Sequence, residues 1–300
     1  MSETYRSGLV AIIGRPNAGK STLLNRLVGQ KVSITSHRAQ TTRHRIVGIH
    51  TTAEAQVVYV DTPGIHRGES DKPLNRVMNR AARASLAGVD AVVLVIGAEG
   101  WSERDEPALA AARQAECPVI LAINKIDRLA ERERLLPLIA TSRERMAFAE
   151  VVPLSATKGD NVEELERVIV RLLPQQPPLY DAEQITDRSE RFLAAEFVRE
   201  QVFRGFGQEV PYAVAVEITE FRDEPKHIHI DAVIWVEKDG QKAILIGKGG
   251  AGLKEIGRRA RLEMQKAFGR KVWLGLWVKV REGWSQDAQA VKSLGYGEDG

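Results

Sequence analysis

Gly14-Arg15-Pro16-Asn17-Ala18-Gly19-Lys20-Ser21, followed by Thr22, sets two glycines, a lysine and a hydroxyl at the spacing G-x-x-x-x-G-K-[ST]. Glycines let backbone N–H groups curl around a phosphate, the lysine reaches β and γ phosphates, and the serine hydroxyl can ligate Mg²⁺. The run lies between the apolar stretch Leu9 to Ile13 and the helical stretch Ser21 to Val28. That strand-loop-helix context argues against a chance glycine turn.

Asp61-Thr62-Pro63-Gly64 closes a second apolar run, Gln56 to Val60. A carboxylate there can hold Mg²⁺ through a water, and the Gly64 N–H can reach a γ-phosphate. Alone, such a turn is commonplace; behind a phosphate loop it becomes a second contact. Asn124-Lys125-Ile126-Asp127 ends the run Pro118 to Ile123 and addresses the base. Guanine offers two adjacent donors, N1–H and the 2-amino group, which one carboxylate accepts together; adenine has no such pair. Asp127 is therefore expected to select GTP and GDP. Asn124 would brace the loop, and the Lys125 stem would pack along the ring. Ser155-Ala156 means nothing by itself, but after the run Val151 to Leu154 it supplies a loop N–H that can donate to guanine O6.

Around these motifs, near-continuous Val/Ile/Leu runs alternate with helical patterns over residues 1–173, with a further run at Ala91 to Ile96. Strands without a solvent face produce that pattern, so an α/β domain with a mostly parallel sheet and helices on both faces is expected. Pro174, Pro177 and Pro178 can neither continue a helix nor pair inside a sheet, so residues 174–188 read as a linker. A smaller α+β domain is expected over 189–282, with a tail at 283–300. Its helix runs from Ser189 to Arg204 and its first strand from Tyr212 to Phe221. Ile228, Ile230, Ala232, Ile234 and Val236 alternate onto one strand face, as do Val272, Leu274, Leu276, Val278 and Val280. Between these strands Leu253, Ile256, Ala260, Met264 and Ala267 form a helical core stripe.

In order and spacing, the four nucleotide motifs resemble the translation-factor class of P-loop GTPases over about residues 7–173. That resemblance implies a switch segment at Gln40-Thr41-Thr42-Arg43-His44, one threonine of which ligates Mg²⁺ and senses the γ-phosphate. By analogy this is Thr42, with Thr41 the runner-up. Lys20, Thr42 and Gly64 would carry catalysis, and Ser21, Thr42 and Asp61 the metal. Ile65 stands where a Ras-like glutamine would orient the attacking water, so slow intrinsic hydrolysis is expected. Asn17 is similar to the asparagine through which some relatives bind K⁺.

Ile246-Gly247-Lys248-Gly249-Gly250 precedes a helix carrying Lys254, Arg258 and Arg261 along one side. A lone G-x-x-G is weak evidence, and most charge runs are solvated faces. Flanked by strands and followed by a basic helix, however, the loop resembles a type II KH domain, a fold that clamps single-stranded RNA. From Lys242 to Arg281 there are eleven Lys or Arg and two acidic residues, so the segment suits an anion. Trp273, Trp277, Lys279 and Arg281 alternate onto the face opposite the aliphatic row. They suit base stacking, and equally packing against the first domain or the chain terminus. His227 and His229 share a strand face without a third ligand at metal spacing, and read as non-metal. Arg76, Arg80 and Arg83 read as a solvated helix face, with a ribosome-facing surface as the alternative.

The chain has 300 residues, 43% hydrophobic and 28% charged, with a net charge of +3 and one cysteine, Cys117. Those values exclude disordered, collagen-like and disulfide-scaffold classes, and no apolar run approaches the length of a membrane span. Without an amino-terminal apolar core, a cytoplasmic location is expected. Taken whole, the motifs resemble the bacterial Era family of GTPases. The resemblance implies binding of small-subunit (16S) ribosomal RNA near its 3′ end, assistance to 30S subunit maturation and peripheral association with the inner membrane; without a sustained heptad pattern, a monomer is expected. The competing readings are a signalling or membrane-associated GTPase whose second domain binds protein or lipid, and a passive RNA scaffold whose GTP site only stabilises the fold.

Overall fold

Strands covered on both faces must be apolar throughout, and in the computed structural model, which describes residues 5–38, 41–64, 73–207, 210–294 and 296, those strands form one six-stranded sheet. In chain order the first part runs β1 (Arg6–Gly14), α1 (Lys20–Val28), β2 (Ile46–Thr51), β3 (Ala55–Asp61), α2 (Pro73–Ala84), β4 (Ala91–Gly97), α3 (Glu106–Arg113), β5 (Val119–Asn124), α4 (Leu135–Arg145), β6 (Glu150–Leu154) and α5 (Val162–Leu172). Sheet order is β2-β3-β1-β4-β5-β6, with β2 antiparallel to β3 and every other pair parallel. Every residue of β3, β4 and β5 is buried. Ala11, Ile13, Val92, Leu94 and Ile96 pack with Ala108, Leu109 and Ala112 of α3. Their alternates Val10, Ile12, Val93 and Val95 are equally buried on the other face. The loops after β1, β3, β5 and β6, which carry the motifs, therefore emerge at one edge, the carboxyl ends of the parallel strands.

The remainder runs α6 (Glu190–Gly205), β7 (Ala215–Asp223), β8 (Ile228–Val236), α7 (Asp239–Ile246), α8 (Ala251–Phe268), β9 (Val272–Val280) and α9 (Ala288–Ser293). Its sheet is β7-β8-β9, antiparallel then parallel. The alternating row of β8 is fully buried and packs with Ile256, Ala260 and Met264 of α8 and with Phe197 and Val198 of α6. Ser189 caps α6 by accepting from Phe192 N–H.

The boundaries differ from expectation in three places. Contacts divide the chain after Asp187, and the proline-rich stretch belongs to the first unit. Pro174 and Pro177 lack donors, but their carbonyls accept from Ser7 N and Ser7 Oγ, while the Gln56 carboxamide, fully buried, bonds Leu179 and Tyr180. The residues beyond 282 are packed as well: Trp284 is wholly buried, with its Nε1 donating to Ala213 O, and α9 follows. Finally, the described residues 34–38, 41 and 73–77 belong to the second unit. This explains why α6 buries charged residues: Glu200 Oε1 accepts from Thr35 N–H at 3.0 Å, and Arg199, paired with Glu196, donates to Thr41 O at 2.6 Å.

Candidate functional site

Gly19 opens α1 with φ 102°, and no side chain caps that helix, so its first-turn N–H groups face the loop without a capping oxygen. A Cβ at Gly19 would lie 2.2 Å from Asn124 Nδ2, so glycine is required by both backbone and space. Lys20 is 6% exposed and its Nζ donates to Gly14 O and Arg15 O at 3.1 Å each. Burial lowers its pKa to about 8, with the Asp61 charge opposing. Ser21 Oγ lies 2.6 Å from Asp61 Oδ2 and 2.8 Å from Thr42 Oγ1. Asp61 is fully buried, its pKa raised by desolvation against the pull of Lys20, and its Oδ1 has no hydrogen-bond partner. The three convergent oxygens, Ser21 Oγ, Thr42 Oγ1 and Asp61 Oδ2, together with the unpartnered Asp61 Oδ1, form the hard donor set that suits Mg²⁺. Thr41 Oγ1 instead bonds Ser36 Oγ and Arg38 O. Gly64 packs against Pro16, and the Thr62 hydroxyl donates to Ile12 O.

At the base end, Asn124 Nδ2 donates to Ala18 O at 2.9 Å, while its Oδ1 accepts from Lys125 N and Ala156 N. One buried amide thus ties the phosphate loop to both base loops. Lys125 takes φ 70° and its Nζ donates to Asn17 O at 2.6 Å. Asp127 stays exposed, and its Oδ1 accepts from Ser155 Oγ at 2.6 Å, which fixes the carboxylate that would read guanine.

Four contributors had no signal in the sequence. Ser33 Oγ donates to Asp61 Oδ2 at 3.1 Å. Arg26 of α1 holds Ala156 O and Thr157 O. Arg15 is held by Glu99 and by the fully buried Asp105, whose Oδ1 is 3.1 Å from its Nε. All reach the site across the fold rather than along the chain. Gln40 and Ile65 lie outside the described residues, as do the side chains of Arg76 and Arg83; Arg80 is exposed.

In the second unit, Gly247, Gly249 and Gly250 take positive φ between α7 and α8. Ile246 is half-buried, Lys248 is exposed, and Lys254, Arg258 and Arg261 stand exposed along α8, with Arg258 sharing Glu255 with Arg259. Trp273 and Trp277 are each 47% exposed, and Trp273 stacks on His229 with ring centroids 4.2 Å apart. Tyr296, near the chain end, stacks instead with Trp284.

Residues 9–125 match a family model described as 50S ribosome-binding GTPase, and residues 209–285 match the KH domain. The chain is 56% identical over 292 residues to GTPase Era of Stenotrophomonas maltophilia (strain K279a), covering 97% of this chain and 98% of that protein. It is also 56% identical over 295 residues to GTPase Era of Xanthomonas oryzae pv. oryzae (strain MAFF 311018), covering 98% of each. A crystal structure of Era in complex with MgGDPNP and nucleotides 1506–1542 of 16S ribosomal RNA superposes with TM-score 0.94 at 42% identity, covering 97% of this chain and 99% of that one. An Aquifex aeolicus Era variant bound to GDP and AlF4⁻ superposes with TM-score 0.93 at 42% identity, with the same coverages.

Proposed function

Because the chain belongs to the Era family of GTPases, we propose that it binds small-subunit ribosomal RNA through its KH loop and assists 30S maturation, with RNA binding coupled to GTP hydrolysis. The observation that carries the reading is that the phosphate loop, the Asp61 turn and the Asn124 loop all meet at the uncapped end of α1, in a chain that also presents a glycine hairpin before a basic helix. Gly14 to Thr22 would cradle the phosphates. Ser21, Thr42 and Asp61 would hold Mg²⁺, which when bound supplies positive charge at the β and γ oxygens. Asp127, held by Ser155, would read guanine, and Lys20 would donate to the γ-phosphate as charge develops there. Ile246 to Gly250 with Lys254, Arg258 and Arg261 would clamp single-stranded RNA.

Coupling is supported by chain connectivity. Thr41 is held in the second unit by Arg199, and the next residue, Thr42, faces Ser21. GTP ordering the segments around Thr42 and Gly64 would bias the groove toward RNA, and hydrolysis would release it. K⁺ beside Asn17 is a further cofactor of this reading; equal hydrolysis rates in K⁺ and Na⁺ would remove it. A cytoplasmic location, peripheral contact with the inner membrane and a monomeric state complete this reading. Among the described residues no helix is long and apolar enough to cross a membrane.

The test is crosslinking of the purified protein to total cellular RNA with a GTP analogue, with GDP or without nucleotide, followed by sequencing of the bound fragments. Enrichment of one single-stranded ribosomal segment, strongest with the GTP analogue, is the expected result. Diffuse crosslinks indifferent to nucleotide would refute the coupling and favour a protein- or lipid-binding second domain.

A further inference from the structure

We propose that Glu220, His229 and Asp231 form a binding site for one divalent transition-metal ion of the zinc class on the open face of the second sheet. His229 and Asp231 are two apart on β8 and so share a face, while Glu220 on β7 stands directly opposite Asp231. A register shift between Ile218 and Glu220 brings Glu220 to this position. No linear motif announces this trio, because one donor comes from the neighbouring strand.

Two carboxylates directly opposed across a ladder repel one another, and the guanidinium beside them, Arg222, pairs with Glu220 and not with Asp231. Arg222 takes Glu220 Oε1 at 3.0 Å and leaves Oε2 pointing at the imidazole. Asp231 Oδ1 is buried without a hydrogen-bond partner. A side chain at Gly275 would crowd that oxygen, its Cβ lying 2.4 Å away, so the glycine leaves the carboxylate its room. His229 Nε2 is 3.7 Å from both Glu220 Oε2 and Asp231 Oδ2. That is too long for hydrogen bonds, so the three groups do not satisfy one another. An ion with bonds of about 2.0–2.2 Å holds its donors roughly 3.0–3.5 Å apart, so each imidazole–carboxylate distance needs to close by only a few tenths of an ångström. The three donor atoms already lie within 4.8 Å of one another. Trp273 stacks on the imidazole at an interplanar angle of 15° and restrains the ring in the orientation that presents Nε2. One imidazole nitrogen with two carboxylate oxygens, completed by water, suits Zn²⁺, Co²⁺ or Mn²⁺. Bound there, the ion would tie β7 to β8 and fix the His229–Trp273 stack.

The site is independent of the nucleotide reading, and the experiment keeps the two apart by saturating the full chain with Mg²⁺ and GDP before removing other metals. Co²⁺ is then titrated while visible absorption and tryptophan fluorescence are followed, and Zn²⁺ is added as competitor. One Co²⁺ per chain, displaced by Zn²⁺ and quenching fluorescence that Trp273→Phe removes, is the expected result. His229→Gln and Asp231→Asn should each weaken binding at least tenfold, and so should Glu220→Gln, at a half-buried position where the substitution keeps the side chain's shape. His227→Gln should leave it unchanged. Absence of stoichiometric binding, or binding that survives all three ligand substitutions, would overturn the site.

Discussion

Lys20 should take up a proton when nucleotide binds. With no phosphate beside it, burial among backbone carbonyls lowers its pKa from the ordinary 10.5 to about 8. That difference corresponds to roughly 3 kcal/mol against the charged form. A β-phosphate beside Nζ restores the charge, so the bound pKa lies above the free one. The sign follows: affinity is level below pH 8 and falls as pH rises through the free-state value, by at most about tenfold per pH unit. Calorimetry in buffers of different ionisation enthalpy counts the protons directly. For GDP binding the expected uptake is small at pH 7 and grows toward one proton as pH rises through the free-state value. Guanine N1–H begins to titrate as pH approaches 9 and adds its own uptake, so the decisive reading is the one at pH 8. Zero uptake at pH 8 would show that Lys20 is already charged in the free protein, and the argument from its burial would fail.

Asp127→Asn removes an acceptor pair and turns a donor toward the guanine 2-amino group. Two charge-assisted hydrogen bonds at about 1.5–3 kcal/mol each predict GTP affinity lower by roughly 10²–10⁴, with preference passing to xanthosine nucleotides, as competition with a fluorescent GDP would show. Gly249 has φ 61° and open space around it, so Gly249→Asp should fold, since aspartate tolerates that conformation. Its carboxylate would face RNA phosphates, and crosslinking should drop at least tenfold while basal GTP hydrolysis is unchanged. Arg199→Met leaves Glu196 as a buried uncompensated charge and should cost about 3–5 kcal/mol in denaturant unfolding, most of it recovered by adding Glu196→Met.

How much of this was legible in the sequence depends on how far apart the cooperating residues stand. The phosphate loop, the Asp61 turn and the base loop act through consecutive residues at the ends of apolar runs, so their chemistry could be read directly. β2 escaped notice because Gly48 breaks its apolar run; a Cβ there would lie 2.7 Å from Leu24 Cδ1 of α1. α7 gives no helical signal in the sequence, since eight residues span barely two turns of periodicity. The linker and tail were judged by composition, which is blind to Gln56 and to the pocket that takes Trp284.

The two threonines show the limit most sharply. Of the two neighbouring hydroxyls, that of Thr42 faces Ser21 and that of Thr41 does not. Which one does is decided by what waits on the other side. There Ser36 Oγ and the Arg38 carbonyl take the Thr41 hydroxyl, and Arg199 on α6 takes its carbonyl. Each of those groups is distant in sequence or silent in motif, yet together they turn Thr42 toward Ser21 and Asp61. The orientation of Thr42 is thus set in part by Arg199, acting through the carbonyl of the neighbouring Thr41.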